Sequence, residues 1–137
     1  MKWVYRECRY GDIIRVKLGS VYHYGIFVSE DEVIAFGLPP TAENLQHQQD
    51  IKVLATDIDA FSCGNMVEAA QLTLKEKLRR HNPDKTVSAA RARIGEGGYN
   101  LIHNNCEHFV NEIVFGEKIS EQELEVRRKW QRFHSDQ

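Results

Sequence analysis

The sequence predicts a single-domain α+β fold, a small antiparallel sheet packed against helices. Strand-like segments crowd the N-terminal part of the chain, and helical spacing takes over in the C-terminal part. With 137 residues, the chain is long enough for one core and too short for two ordinary domains, so 1–137 reads as one unit.

Residues 12–17, 22–28 and 32–36 read as three short strands, rich in Val, Ile, Phe and Tyr. They are separated by Leu18-Gly19-Ser20 and Ser29-Glu30-Asp31, which suits a meander. Leu38-Pro39-Pro40 breaks the pattern. The polar stretch 41–50, with Gln46-His47-Gln48-Gln49, reads as a loop that is either a solvated connection or a cover over the site. Residues 51–54 read as a further strand, followed by the turn-like Ser62-Cys63-Gly64-Asn65. Val67, Ala70, Leu74 and Leu78 then fall at helical spacing and predict a helix over 66–81 with those four in the core. A second helix is predicted over about 87–94, with Ser88 near its start and Gly95 past its end. Gly95-Glu96-Gly97-Gly98 reads as a hinge rather than a phosphate loop, since the lysine and the strand-before, helix-after setting are absent.

Asn104 and Asn105 are both good caps for a helix burying Phe109, Val110, Ile113 and Val114 and ending at Gly116. Ser120-Glu121-Gln122-Glu123 resembles a capping box that opens a C-terminal helix over 120–134. Leu124, Trp130 and Phe133 on that helix are expected to dock on the core.

Composition narrows the function. With 42% hydrophobic and 28% charged residues and a net charge of −2, there is no global attraction to nucleic acid or to an anionic membrane surface. Cys8, Cys63 and Cys106 are widely spaced and odd in number, so a reducing compartment is the simpler home. The first residues carry charges where a signal peptide needs an apolar run, and nowhere do 18 apolar residues follow one another. The expectation is a cytoplasmic protein with no transmembrane anchor.

Chemistry concentrates at Cys106 and His23. Cys106 stands at the expected first turn of a helix, where free N–H groups and the helix dipole favour thiolate and can hold an oxyanion. Taken alone, it reads as a small buried apolar residue, as most free cysteines are. His23 interrupts the apolar and aromatic strand 22–28, and a strand-held imidazole suits a base that takes a proton and later returns it. Taken alone, His23 reads as a hydrogen-bonded structural residue. His103, Cys106 and His108 lie close in sequence, but 106 and 108 point to different faces of a helix and no fourth ligand is evident, so no metal is expected. His108 is expected to pack beneath the helix and bond the chain there, and Glu107 to cap its start. His81, His103 and His134 carry no signal.

Several segments in this order resemble the lecithin:retinol acyltransferase-like family, grouped with the NlpC/P60 peptidases in the papain-like superfamily. They are Tyr10-Gly11-Asp12-Ile13-Ile14-Arg15-Val16, His23-Tyr24-Gly25-Ile26-Phe27-Val28, Glu32-Val33-Ile34-Ala35-Phe36-Gly37, Ala90-Arg91-Ala92-Arg93-Ile94-Gly95-Glu96, Tyr99-Asn100-Leu101 and Asn105-Cys106-Glu107-His108-Phe109. The resemblance implies a circularly permuted papain-like fold with histidine before cysteine, Cys106 as nucleophile and His23 as general base and acid. It also implies ester or amide substrates, such as lipids or small acylated amines, and no cofactor is expected. One position departs. Family members usually carry a third polar residue, often histidine, twelve positions after the base, and here that position is Ala35. Loss of an orienting residue costs about ten-thousandfold in a serine-protease triad, so the dyad stands weakened unless a backbone carbonyl, a water or a residue such as His47, Asp31 or Tyr22 substitutes.

Three readings follow. Cys106 with His23 supports acyl transfer or hydrolysis through a thioester. Ala35 motivates a non-catalytic module that binds an acylated ligand or a protein. The shared superfamily also admits a peptidase acting on cell-wall-type peptides, although such enzymes usually need export.

Overall fold

A computed structural model describes residues 1–39, 46–100 and 105–116. The strands are β1 (Lys2–Val4), β2 (Ile13–Leu18), β3 (Val21–Ser29), β4 (Glu32–Phe36), β5 (Val53–Thr56) and β6 (Val67–Gln71). The helices are α1 (Ile58–Ser62), α2 (Leu74–Arg79), α3 (Pro83–Ala92) and α4 (Cys106–Phe115), with a 3₁₀ turn at Gln48–Asp50. All six strands form one antiparallel sheet in the order β1-β6-β2-β3-β4-β5. The expected meander is its β2-β3-β4-β5 portion.

Because strand side chains alternate, the sheet sorts its residues onto two faces. On one face Ile13, Ile26, Ile34, Phe36 and Val53 pack with Phe109, Val110, Ile113 and Val114 of α4. On the other, Ile14, Val16, Phe27, Val33, Ala35 and Ala69 pack around Phe61 of α1. Phe36, Phe61 and Phe109 are almost wholly enclosed, and each such side chain contributes roughly 1.5–3 kcal/mol. Gly25 is needed beneath Phe61, because a Cβ there would lie 2.8 Å from Phe61 Cε2.

The region 66–81 is not one helix. Val67–Gln71 is strand β6, seated between β1 and β2, and the helix starts only at Leu74. A Thr73–Glu76 capping box fixes that start. Leu74 and Leu78 are 74% and 80% exposed, so the periodicity that linked them to Val67 and Ala70 joined a strand to a helix. Demand for a partner strand at β2's free edge outweighed the helical spacing.

Helix α3 starts four residues before the expected 87, because Asn82 accepts from the Lys85 N–H and Pro83 takes the first turn. Gly95 and Glu96 are not a free hinge: the Gly95 N–H donates to Val53 O at 2.8 Å and the Val53 N–H to Glu96 O at 2.9 Å. Strands β1 and β6 and helix α1 had no counterpart in the sequence reading. The expected helix over 120–134 and most of the 41–50 loop lie outside the described residues.

Candidate active site

Helix α4 begins at Cys106 and is capped as its sequence requires. The Asn105 side chain accepts from the Glu107 and His108 N–H groups at 3.0 and 3.1 Å, and the Asn105 N–H donates to His108 Nδ1 at 3.3 Å. An accepting Nδ1 places the neutral ring's proton on Nε2. The helix ends at Gly116, which is left-handed with φ 75°. The cap is therefore Asn105, closed by His108 rather than by Glu107. His108 is wholly enclosed, as expected of a residue beneath the helix.

The cap aims Cys106 at β3. Its Sγ lies 4.0 Å from the Tyr22 carbonyl oxygen and takes backbone N–H contacts from Tyr24, Cys106 and Glu107. Helix-start N–H groups were expected to favour thiolate, and they do pull in that direction. Burial outweighs them, and with the nearby Glu107 carboxylate it pushes the thiol up to about 11. In the resting protein Cys106 is a protonated thiol ringed by amide donors.

His23 is enclosed on β3 with 1% exposure. Its ring lies against Phe61, with centroids 4.8 Å apart and planes at 32°, and neither ring nitrogen has a hydrogen-bond partner. Burial lowers its pKa to about 4, so the imidazole is neutral near pH 7. Strand alternation puts His23 and Phe27 in the Phe61 layer, and Tyr24 and Ile26 under α4. The Cys106 sulfur thus meets the Tyr22 and Tyr24 peptide groups that flank His23, while the imidazole sits in the layer beyond. The structure brings the thiol to the segment carrying His23 but forms no hydrogen bond between the two side chains.

Ala35 is fully buried in the Phe61 layer with Ile14 and Val33, so that position is filled by apolar atoms. None of the three candidate substitutes bonds the imidazole. Asp31 and His47 are exposed, and His47 lines a separate cleft of about 250 Å³ with Leu38 and Asp50. Among the described residues no group of three or more His, Cys, Asp or Glu is placed to hold a metal, and no helix is long and apolar enough to cross a membrane.

A polar wall beside the thiol was missed in the sequence. The Arg15 guanidinium is stacked between Trp3 and Tyr22, 4.3 and 3.9 Å from their centroids, and pairs with Glu68 at 3.4 Å. Tyr24, edge-on to Trp3 at 5.8 Å, lies within the electrostatic reach of Glu107 and Cys106. Burial, Glu107 and Cys106 hold its hydroxyl above the ordinary tyrosine range, against an Arg15 hydrogen bond. Trp3, Tyr24, Glu107 and Asn111 border a shallow depression at the start of α4. The available signal was alternation: Arg15 sits between Ile14 and Val16, so it must face away from their layer.

A family profile described as lecithin retinol acyltransferase matches residues 6–119. Lecithin retinol acyltransferase of Mus musculus is 28% identical over 132 residues, covering 82% of this chain and 56% of its own length. The protein of the same name from Rattus norvegicus is 27% identical, with the same coverage. The chain spans a little over half the length of these relatives.

Proposed function

The chain belongs to the lecithin retinol acyltransferase family, and from that premise we propose that it transfers or hydrolyses acyl groups through a thioester on Cys106. The fold proposed with it is the circularly permuted papain-like arrangement, histidine strand before cysteine helix. One observation carries the reading: a capped helix presents Cys106 Sγ to three backbone N–H groups, against the peptide groups that flank a buried, unpartnered His23.

In the proposed reaction the Cys106 proton passes to His23, and the thiolate attacks the carbonyl of an ester or amide. Backbone N–H groups at the start of α4 hold the oxyanion. The C–O or C–N bond to the leaving group breaks as His23 returns the proton to it. Water, an alcohol or an amine then attacks the thioester, with His23 as base. For this the imidazole has to turn from the Phe61 layer towards the peptide edge at Tyr22 and Tyr24. The substrate class inferred from the family is lipid-like or small acylated molecules, and no cofactor is called for.

A second reading has its own support. A thiol near 11, an imidazole near 4 and apolar packing at Ala35 suit a module that binds an acylated ligand without turning it over. Intact-mass spectrometry after brief exposure to an activated short-chain ester decides between them. The catalytic reading expects a single acyl adduct that Cys106→Ala abolishes and His23→Ala slows by about a hundredfold or more. No adduct, or equal labelling of Cys8 and Cys63, overturns the catalytic reading and favours the binding module.

A further inference from the structure

Away from Cys106, a cleft of about 560 Å³ opens between the β1–β2 connection, the end of β6 and α2. Its charged lining is lopsided: Arg6, Arg9, Lys77 and Arg80 face one acid, Asp12. That acid is already engaged. Its carboxylate accepts from Arg6 Nη1 at 2.7 Å, from Arg6 Nη2 at 3.3 Å and from the Arg9 backbone N–H at 2.7 Å. Among the described residues, Arg9, Lys77 and Arg80 have no ion-pair partner.

Arg80 is the most telling of the three. It is half-buried, and its fork is held open by neutral acceptors only: Nε donates to His81 O at 2.8 Å, and Nη2 donates to Gly11 O at 2.9 Å and Thr86 Oγ1 at 3.2 Å. Nη1 makes no hydrogen bond among the described residues. Desolvation lowers its pKa and outweighs the attraction of Asp12, which does not hydrogen-bond it, a cost that a bound anion would offset. A rigid planar fork beside a flexible ammonium and a second guanidinium is the donor set that phosphate oxygens take. The size of the cleft leaves room for the group that bears the phosphate.

We propose that this cleft is a binding site for a phosphate monoester group, held by Arg80, Arg9 and Lys77 with Arg6 fixed behind them by Asp12. The site is separate from the Cys106 chemistry and does not depend on it. Two sources carry the same chemistry, a free small phosphate and the headgroup of a phosphatidic-acid-type lipid.

Calorimetric titration of the full chain with sodium phosphate at low ionic strength, against sodium chloride of equal ionic strength, tests the site. Cosedimentation with phosphatidylcholine vesicles, with and without phosphatidic acid, tests the lipid source. Arg9→Gln and Lys77→Gln are the variants, since both side chains are exposed and their removal leaves the fold's hydrogen bonds intact. Saturable phosphate binding that weakens about fivefold or more in each variant supports the site with a free ligand. Vesicle binding that needs phosphatidic acid and falls in both variants, with no response to free phosphate, supports it with the headgroup. A phosphate response no different from chloride together with no dependence on phosphatidic acid, or binding that neither variant weakens, overturns it.

Discussion

Strand β3 separates two unlike layers. Towards α4 lie Tyr24, Ile26 and the capped Cys106, where a ring of N–H donors, a stacked arginine and a carboxylate stand ready for polar chemistry. Towards α1 lie His23, Gly25 and Phe27, where an aromatic ring covers an imidazole with no partner. In the first layer Arg15 Nε and Glu112 Oε2 are buried without a hydrogen bond, but each is offset by an ion pair at 3.4 Å, with Glu68 and Arg93. The second keeps one unsatisfied, and a buried polar group without a partner ordinarily costs about 1–3 kcal/mol. The His23 imidazole has neither a hydrogen bond nor an ion pair to offset its burial, and a fold retains such a group most readily where its chemistry is used, which supports the proposed role of His23.

Substitutions sharpen this contrast. The largest effect is expected from Phe61→Ala, about 3–5 kcal/mol of stability by urea denaturation. Water then reaches His23, and its pKa, followed by NMR, should climb from about 4 towards 6.5. Phe109→Ala in the other layer should cost a similar amount and leave His23 where it is. If both variants shift His23 alike, the layers are not independent.

His23→Leu comes next. The folded imidazole resists protonation until about pH 4, whereas the unfolded one takes its proton near 6.5. The unfolded state therefore binds more protons between those values, so this contribution is fully present above about pH 6.5 and roughly 3 kcal/mol is lost as pH falls to 4. His23→Leu should flatten that slope and gain stability near pH 5 while destroying acylation. An unchanged slope would mean that some other group titrates there.

Ala35→His follows, at about 1–3 kcal/mol of destabilisation, because the site is already filled by Ile14, Val33 and Phe61. Paired with Phe61→Leu to make room, it should raise the rate of Cys106 acylation above that of Phe61→Leu alone. Equal rates would show that the imidazole is positioned without a polar neighbour. The smallest effect is Asn105→Ala, about 1 kcal/mol from the lost cap, read by thermal unfolding.

Much of the Cys106 layer was legible in the sequence. Asn105 as a cap, the buried set Phe109, Val110, Ile113 and Val114, and the stop at Gly116 are local signals that local structure obeys. The meander strands fell within a residue or two for the same reason. What stayed hidden is non-local. Val67–Gln71 is a strand because β2 offers an edge, and Phe61 covers His23 because Gly25 lets it approach; neither fact is written in the segment concerned. The balance at Cys106 was hidden likewise, since a helix start favours thiolate and only the packed sheet reveals the larger opposing effect of burial.

The sheet order also dictates a schedule of assembly. Strands β2 to β5 can zip together from neighbouring turns, but β1 is separated from β2 by β6, whose residues come some fifty positions after β2. Until Val67–Gln71 has been synthesised and threaded into place, β2 presents a naked edge and β1 has nothing to pair with. Closing that gap demands a long loop and makes the late step slow. A nascent or truncated chain ending before residue 67 would therefore be a sticky, half-built sheet, prone to recruit a strand from another molecule in place of its own.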